Sequence, residues 1–402
     1  MNQKPTDELE SHPVEGELTQ QPPRPDPEPR ETGCVEEDTL APHEGEAVDS
    51  LSQWQLIRLR FLKHKVAVAA MFTLIILYAI AAFAEFVAVY DKSYGDVDYI
   101  YCPPQTPRFN LKDGLHTSIL ERYKDPVSLK SFYRDTGEVL KLGFFVKGEP
   151  YKLFGLIPME RHLFGPVEGQ DSPFYLLGAD AYGRDLYSRL VFGARISLSV
   201  GLVSIAMTFF LGAVIGGISG YVGGTVDNLI QRTMEVIGAF PSLPLWLALA
   251  AMLPGDWSPL KSYFAITILL SVLGWTGLAR LVRGKILSLR EEDYAVAARL
   301  LGASDGRILF RHLLPGFTSH IIVSLSLSVP GMILGETGLS FLGLGLRPPV
   351  VSWGVLLQDC LNLDVVTNYP WLLMPVVMII LTVLAFNFFG DGLRDAADPY
   401  SK

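Results

Sequence analysis

The residues EEDYAVAARLLGASDGRILFRHLLPG, at positions 291–316, form a polar and basic stretch between two segments that are apolar enough to cross a membrane. Asp293 to Leu301 is rich in helix-forming residues, and Gly302 follows at the place where a glycine commonly ends a helix. Ser304 can cap a second short helix, which is expected to end before Pro315 because proline lacks the amide that a helix interior needs. The pattern therefore predicts a helix, a sharp turn and a second helix.

Two alanines beside this turn, Ala297 and Ala298, are small enough to let another backbone approach closely. A short helix with such a face is suited to insertion into a groove on a partner protein. An ordinary loop between two helices is the alternative interpretation, because amphipathic helices that stop at a glycine are common.

The spacing Ala-Ala-x-x-x-Gly at 297–302, followed after nine residues by His-x-Leu-Pro at 312–315, resembles the coupling-loop motif of bacterial ABC importer membrane subunits, E-A-A-x3-G-x9-I-x-L-P. The residues GAS at 302–304 and FRHLLP at 310–315 are similar to the sequences of the oligopeptide/dipeptide/nickel branch of this family. Val296 stands where the motif has Glu, which puts any polar contact of that Glu in doubt, and His312 stands where it has Ile. The resemblance implies that a cytoplasmic loop at 283–316 couples to ATPase subunits through Val296, Ala297, Ala298, Gly302, Ala303, Ser304, Asp305, His312, Leu314 and Pro315.

The composition indicates an integral membrane protein. Of its 402 residues 49% are hydrophobic, and these are gathered in long uncharged runs. The acidic balance belongs to residues 1–50, which hold 14 acidic and three basic residues and many prolines. This composition predicts a disordered cytoplasmic tail. The three cysteines form no disulfide framework, although one bridge between Cys102 and Cys360 is a minor alternative.

Six spans are predicted from the apolar runs. Residues 51–90 hold a basic amphipathic lead-in and a first span at 66–90, whose flanking Arg and Lys residues place its start in the cytoplasm. Residues 191–390 hold five more spans, and 391–402 form a cytoplasmic C-terminus. The second span carries glycines suited to close helix contact, and the third is interrupted by prolines. The predicted limits of these five spans are 196–220, 236–253 with Pro241 and Pro244, 263–279, 319–342 and 369–389.

Residues 91–190 lack a spanning run and are predicted to be an extracytoplasmic insertion of small mixed structure, followed by a segment that leads into the second span. That segment, LGADAYGRDLYSR at 177–189, resembles the L-G-T-D-x-x-G-R-D-x-x-S-R stretch of the peptide-importer branch. We expect a tight, hydrogen-bonded turn that acts as a structural clamp, with direct contact to the solute as the second possibility. Its site residues are Asp180, Gly183, Arg184 and Asp185.

The fifth span contains the residues expected to shape the transport pathway. Pro330 and Gly331 together weaken the helix and predict an interruption or hinge. Glu336 is a carboxylate in the membrane, which is costly unless it faces a wet cavity or finds a hydrogen-bond donor. Contact with the pathway and a structural hydrogen bond are equally supported by the sequence. Glu85, near the end of the first span, is expected to reach the interface rather than to carry ions.

We therefore expect an all-α integral membrane protein with six transmembrane helices of the type I ABC importer permease fold and a mixed extracytoplasmic insertion. The chain holds no G-x4-G-K-[ST] phosphate loop, so we expect a non-catalytic chain without a cofactor or metal. The resemblance implies two cytoplasmic ATPase subunits that bind ATP and Mg, a second homologous permease, an extracytoplasmic binding protein, and no nucleic acid. It also implies import of oligopeptides or dipeptides across a bacterial inner membrane. The alternative is an ion-gradient-driven secondary transporter that uses Glu85 and Glu336.

Overall fold

The computed structural model describes residues 53–124, 126, 131–170 and 172–398. The predicted tail at 1–50 and the last four residues lie outside these ranges. Thirteen helical elements are labelled here in chain order. They are α1 (Gln53–Lys63), α2 (Lys65–Ala82), α3 (Ala84–Val87), α4 (Leu186–Val222), α5 (Gly224–Gly238), α6 (Ser242–Ala251), α7 (Pro259–Leu289), α8 (Asp293–Leu300), α9 (Asp305–Arg307), α10 (Thr318–Phe341), α11 (Trp353–Leu356), α12 (Leu363–Asn368) and α13 (Met374–Ala397).

Within the described ranges, five helices are long and apolar enough to cross a membrane, and a bent pair supplies a sixth span if it is counted as one. The pair is α5 and α6, which meet at an angle of 84° at residues 239–241. Pro241 lies at this bend, as the sequence predicted. Four spans are longer than predicted. Helix α4 begins ten residues before 196, and α7 continues ten residues past 279. The helical turns of the fifth span begin at Asp305 rather than at 319, and the sixth span ends at Ala397 rather than at 389.

Close packing of α4 against α7 forms one side of the helical assembly. Gly216 and Gly220 face α7, and a Cβ atom at Gly220 would lie 2.7 Å from the carbonyl oxygen of Arg283. A Cβ at Gly216 would collide with the backbone of Ala279. The close helix contact predicted for the glycines of this span is therefore confirmed at Gly216 and Gly220, where the two backbones touch. Of the other two predicted glycines, Gly212 faces the Leu278 side chain of α7 and Gly217 faces Leu309, outside α7.

A second packed region joins the N-terminal and C-terminal spans. Residues from α2, α4, α10 and α13 surround Trp353 of α11, which is fully buried. Its indole N–H donates to the carbonyl oxygen of Leu190 at 3.1 Å, so the ring is held in one orientation.

The predicted insertion contains a four-stranded antiparallel sheet in the order β1-β2-β3-β4. Its strands are β1 (Arg108–Asn110), β2 (Gly114–Lys124), β3 (Ser131–Leu153) and β4 (Ile157–Pro166). The long strand β3 pairs first with β2 and then with β4. A single 3₁₀ turn at Val97–Tyr99 precedes the sheet, so the described insertion is mainly β structure rather than an even mixture.

Candidate functional site

The segment at 293–302 forms the helix and turn that the sequence predicted. Helix α8 ends at Leu300, and Gly302 adopts the left-handed conformation with φ of +81°. The Gly302 N–H donates to the carbonyl of Arg299 at 3.0 Å, and the Ala303 N–H donates to that of Ala298 at 3.1 Å. This pair of bonds is the Schellman motif, which satisfies carbonyl groups left over at a helix end.

One face of this turn is buried and the other is open. Ala295 is fully buried, and Ala298 and Ala303 pack against the same apolar cluster of α7 and the residues that follow α9. On the other face, Val296 and Ala297 are exposed, and Leu300 and Leu301 are 83% and 88% exposed. A Cβ at Gly302 would meet no atom within 4 Å. The loop thus presents small and apolar groups outward while its own packing is complete.

Tyr221, at the end of α4, connects the loop to this membrane-spanning helix. Its hydroxyl donates to Asp305 Oδ1 at 2.7 Å, and the Arg299 guanidinium lies 5.8 Å from the centre of its ring. From the other side of the loop, Arg290 donates to the carbonyls of Gly220 and Tyr221 at 3.0 and 3.2 Å. The sequence analysis missed Tyr221, because nothing in the motif points to a residue 84 positions before Asp305.

The second half of the motif departs from the prediction, because the second helix does not end before Pro315: helical turns continue through this residue into α10. Ser304 is the N-cap residue of α9, as the sequence predicted, but its side chain makes no capping hydrogen bond. A π-helical turn at Ile308–Leu313 and a 3₁₀ turn at Leu314–Phe317 then lead into α10. His312 and Pro315 are exposed, whereas Leu314 is half-buried against the loop's apolar cluster.

A bidentate ion pair lies beside the loop, between α5 and α7. Arg283 Nε and Nη2 donate to the two carboxylate oxygens of Asp227, each at 2.6 Å. Ser219 at the end of α4 also bonds to Asp227 Oδ1, at 2.5 Å. Three helices therefore meet at one carboxylate. Sequence reasoning counted Arg283 only as a positive charge of the loop, because the partner is 56 residues away.

Glu336 lies in a fully buried cluster of serine hydroxyls. Ser340 and Ser352 each donate to its Oε1 at 2.8 Å, and Ser197 donates to Oε2 at 3.1 Å. These serines come from α10, the segment before α11, and α4. The structure thus provides the hydrogen-bond donors that the sequence analysis required of a structural role. It does not place the carboxylate on an open surface.

The predicted interruption of α10 is wrong, because the helix is continuous from Thr318 to Phe341 with Pro330 inside it. Pro330 is buried and Gly331 is exposed. A Cβ at Gly331 would meet no atom within 4 Å. Proline is tolerated here because membrane helices satisfy the freed carbonyl by local adjustment.

The segment before α4 forms the predicted hydrogen-bonded turn. Asp180 Oδ1 accepts the backbone N–H groups of Tyr182 and Arg184 at 2.8 and 3.0 Å, and its Oδ2 accepts Arg184 Nε at 2.7 Å. Gly183 supplies a positive φ of +71°. Asp185 begins α4 by accepting the Ser188 N–H at 2.7 Å, and burial raises the pKa of Asp185 to about 6.

Contacts with distant segments show what this turn holds in place. The Tyr101 N–H donates to the Asp180 carbonyl at 3.0 Å, and Trp371 Nε1 donates to the Ala179 carbonyl at 3.2 Å. Tyr101 also stacks on Tyr369 with ring centres 4.0 Å apart. The turn therefore connects both the insertion and the approach to α13, which is the arrangement expected of a clamp.

The sequence analysis expected Glu85 to reach the membrane interface as a single acidic side chain. In the structure Glu85 forms an ion pair instead. Arg195 of α4 donates to both of its carboxylate oxygens, at 2.6 and 2.7 Å. The same guanidinium also donates to the carbonyls of Ala81 and Ala82, which end α2. Glu85 and Glu336, the two acids that an ion-driven transporter would use, both have protein partners.

The described residues offer little for metal or redox chemistry. No group of three or more His, Cys, Asp or Glu side chains among them could hold a metal ion. Cys102 and Cys360 are free thiols, and burial raises their pKa to about 12 and about 11. The alternative of a bridge between them is therefore wrong in this structure.

Membrane spans, a rigidly anchored polar loop and the motif within that loop define a transport permease. The family model described as the binding-protein-dependent transport system inner membrane component matches residues 212–401. A second model, the N-terminal TM domain of oligopeptide transport permease C, matches residues 52–104. The chain belongs to this family of inner membrane components, which makes it a multi-pass inner membrane protein.

Among curated proteins, the chain is similar to an oligopeptide transport system permease protein of Bacillus subtilis, with 40% identity over 223 residues, which are 55% of this chain and 70% of that relative. The corresponding protein of Haemophilus influenzae is 42% identical over 231 residues, or 57% and 71% of the two chains. A dipeptide transport system permease protein of Bacillus subtilis is 41% identical over 224 residues, or 55% and 68%.

Among solved structures, an inward-facing methionine ABC transporter aligns with a TM-score of 0.41 and 16% identity over 52% of this chain and 96% of that one.

Proposed function

We propose that this chain is one permease subunit of an ATP-driven importer that carries oligopeptides or dipeptides inward and forms half of the translocation pathway. Support for the solute class comes from the oligopeptide and dipeptide permeases that the chain resembles over more than half of its length.

The partners follow from the same proposal. Two cytoplasmic ATPase subunits bind ATP and Mg, a second homologous permease completes the pathway, and an extracytoplasmic binding protein delivers the solute. Both termini lie in the cytoplasm. Six spans, with the bent pair of α5 and α6 counted as one, and the positive charge around 280–311 support that orientation.

The observation that carries the proposal is the construction of the 293–302 loop. Its outward face is apolar, with Leu300 and Leu301 almost fully exposed on this chain. Exposed leucines at a sharp turn are costly in water and become favourable when a partner's groove covers them. The ATPase surface is that partner in this proposal.

The same loop is suited to transmit force. Buried Ala295 and Ala298 and the hydrogen bonds of Tyr221 and Arg290 fix it to α4 and α7. Movement of the ATPases would therefore shift the loop and these two helices together. ATP can favour one conformation only through contacts that differ between the two states, and the loop supplies those contacts. Bending near Pro330, which lacks one hydrogen bond of the helix, would then switch access to the pathway.

Copurification of subunits tests this function. Gly302→Glu places a charged side chain in the open face of the turn and forces a non-glycine residue into a positive φ. We expect the variant to insert into the membrane, to lose the ATPase subunits on gentle detergent purification, and to lose ATP-dependent uptake of labelled di- and tripeptides.

Gly224→Glu is the matched control. Gly224 also has a positive φ, +58°, and a Cβ there would also meet no atom within 4 Å, but it lies at the turn between α4 and α5 rather than in the coupling motif. If the unsubstituted chain purifies without any ATPase, or if uptake requires an ion gradient and no ATP, the importer proposal fails. If ATPases bind but labelled peptides are not taken up, only the solute class fails.

A further inference from the structure

The hairpin that joins β3 to β4 has an unusual tip for a segment outside the spanning helices. The residues Leu-Phe-Gly-Leu-Ile-Pro-Met at 153–159 contain no charged, hydroxyl or amide side chain. Phe154, Leu156 and Ile157 are 52%, 82% and 54% exposed. Hairpin tips in water are normally built from Asn, Asp and Gly. An apolar tip of this kind indicates a surface that is covered by something other than water.

Backbone conformation at the tip strengthens this argument. Phe154 has a φ of +54° and precedes Gly155 at +72°, so a bulky residue occupies a left-handed position where Asn or Gly is preferred. Such outliers persist where a surrounding interaction compensates for them. Here the outlier holds an aromatic ring at the end of the hairpin, against the ring of Phe83 at a centroid distance of 5.5 Å.

The direction of the hairpin follows from its contacts with the chain that leaves α2. Far from the tip, His162 Nδ1 lies 2.7 Å from the carbonyl oxygen of Ala88. At nearly the same level of the hairpin, where Val146 pairs with His162, Phe145 lies beside Phe86, with ring centres 6.1 Å apart. At the tip, Phe154 has reached Phe83. As the hairpin approaches its end, its neighbours move backward along the sequence toward the first span, so the tip points along α2 toward the membrane interior.

A groove between the tip and α2 extends into the span itself. Ile76, Ile80 and Phe83 line it on the helix side, and Leu153 and Met159 line it on the hairpin side. Ile76 lies six residues before the end of α2, which corresponds to about 9 Å of helix. Since α2 is long and apolar enough to cross a membrane, this part of the groove lies at the depth of the lipid chains.

We propose that the β3–β4 tip is inserted into the bilayer leaflet at the C-terminal end of α2, and that its groove binds the acyl chain of a membrane lipid. An acyl chain fits because the groove lining is apolar and continues onto the exposed face of α2 at Phe72 and Ile75. Lys152, Glu160 and Arg161 flank the apolar tip, and charged side chains at these places reach the headgroup region.

The inference is independent of the solute and of the ATPase proposal. It rests on membership of a membrane protein family and on the position of α2. Residues 105–211, which include the whole sheet, lie outside both family matches. A role in membrane contact is therefore assigned from this chain's own contacts.

Site-specific fluorescence tests the insertion. Leu156→Cys is labelled with the polarity-sensitive dye NBD in the full-length protein, together with the subunits that copurify, and reconstituted into phosphatidylcholine nanodiscs. Leu156 is 82% exposed, so this substitution removes little packing. The unsubstituted protein, labelled in parallel, gives the background from Cys34, Cys102 and Cys360.

Glu138→Cys is the matched control. Glu138 is exposed on the same strand, β3, and 15 residues before Leu153, which is about 50 Å of extended chain. We expect lipids that carry a doxyl quencher on the acyl chain to quench the Leu156 probe at least twofold more than the Glu138 probe. Aqueous iodide should quench the two probes in the opposite order.

Two outcomes would overturn the proposal. Equal iodide quenching at both positions would show that the tip stands in water. Protection of the Leu156 probe from both iodide and doxyl lipids would show that a protein subunit covers it instead of lipid.

Discussion

Glu336 gives the sharpest test of how this chain is held together. Three hydroxyl groups donate to its carboxylate inside a fully buried site, and they come from three separate segments. Replacement by Ala removes all three hydrogen bonds. Polar bonds in membrane proteins contribute about 0.6 kcal/mol on average and about 1.7 kcal/mol at most. Three of them therefore predict a loss of about 2 to 5 kcal/mol of stability for Glu336→Ala.

Glu336→Gln separates the structural role from a role in the pathway. The amide oxygen of Gln can still accept from Ser340 and Ser352, but its NH₂ group cannot accept from Ser197. We expect a loss of about 1 kcal/mol, equivalent to one bond. If the role of Glu336 is structural, transport by Glu336→Gln should remain close to that of the original chain, because the substitution removes the charge but keeps two of the three hydrogen bonds.

The measurement is the fraction of protein that remains monodisperse on size exclusion in detergent after heating. The expected order of apparent melting temperatures is original chain, then Glu336→Gln, then Glu336→Ala. Ser326→Ala on the same helix is the control, because that hydroxyl bonds only to the Ile322 carbonyl of its own helix, at 2.9 Å. Equal melting of Glu336→Ala and the original chain would refute the cluster argument. Loss of transport in a Glu336→Gln variant of normal stability would instead identify Glu336 as a pathway residue.

Two further predictions concern α4. Gly216→Val should lower the yield of folded protein, because its Cβ would collide with the Ala279 backbone and reduce the stability by about 1–3 kcal/mol or more. Gly277→Val is the control: a Cβ at Gly277 meets no atom within 4 Å, so this variant should keep the original yield. Burial raises the pKa of Asp185 to about 6, above its unfolded value, so its contribution to stability should fall as pH rises from about 4 to about 6. This decline in stability amounts to at most about 3 kcal/mol, and Asp185→Asn should abolish it in thermal unfolding scans at different pH. Parallel pH profiles of stability for the two proteins would contradict the assignment.

The sequence predicted features that depend on neighbouring residues or on long apolar runs. Gly302 ends a helix because the local chain needs a left-handed residue, and that need is visible in ten consecutive letters. The spans follow from apolar length alone, and even the bend at Pro241 could be foreseen. A close helix contact on one face of α4 was also predictable, because glycines at intervals of four residues mark one helix face, although the sequence did not identify α7 as the partner.

Contacts between distant positions were not predictable in the same way. Arg195 and Glu85 are 110 residues apart, and each alone suggests only a charge near an interface. The serines around Glu336 carry even less signal, because Ser197 and Ser352 sit among many other serines that bond to their own helices. The predicted interruption at Pro330 was wrong for a physical reason. A proline weakens a helix locally, but α10 remains a continuous helix because neighbouring spans pack around it.

The sheet was missed because its alternation is obscured. Along β3, exposed and half-exposed residues follow one another on both faces, and Phe144 and Phe145 are both exposed. A strand with one buried face would show apolar residues at every second position. The hairpin of β3 and β4 instead packs against the end of the first span, and its remaining apolar side chains meet the bilayer in our proposal.

Helix α4 connects the two polar sites that matter most for coupling. Tyr221 at one end contacts the loop through Asp305, and Ser197 nearer the other end donates to Glu336. These residues are 24 positions apart on an uninterrupted helix, which corresponds to about 36 Å, more than the hydrocarbon thickness of a bilayer. Because α4 packs on α7 without intervening side chains at Gly216 and Gly220, the two helices resist sliding past each other. A displacement of the loop would therefore reach the Glu336 cluster as movement of a rigid pair, and the hydrogen bond from Ser197 joins that pair to α10.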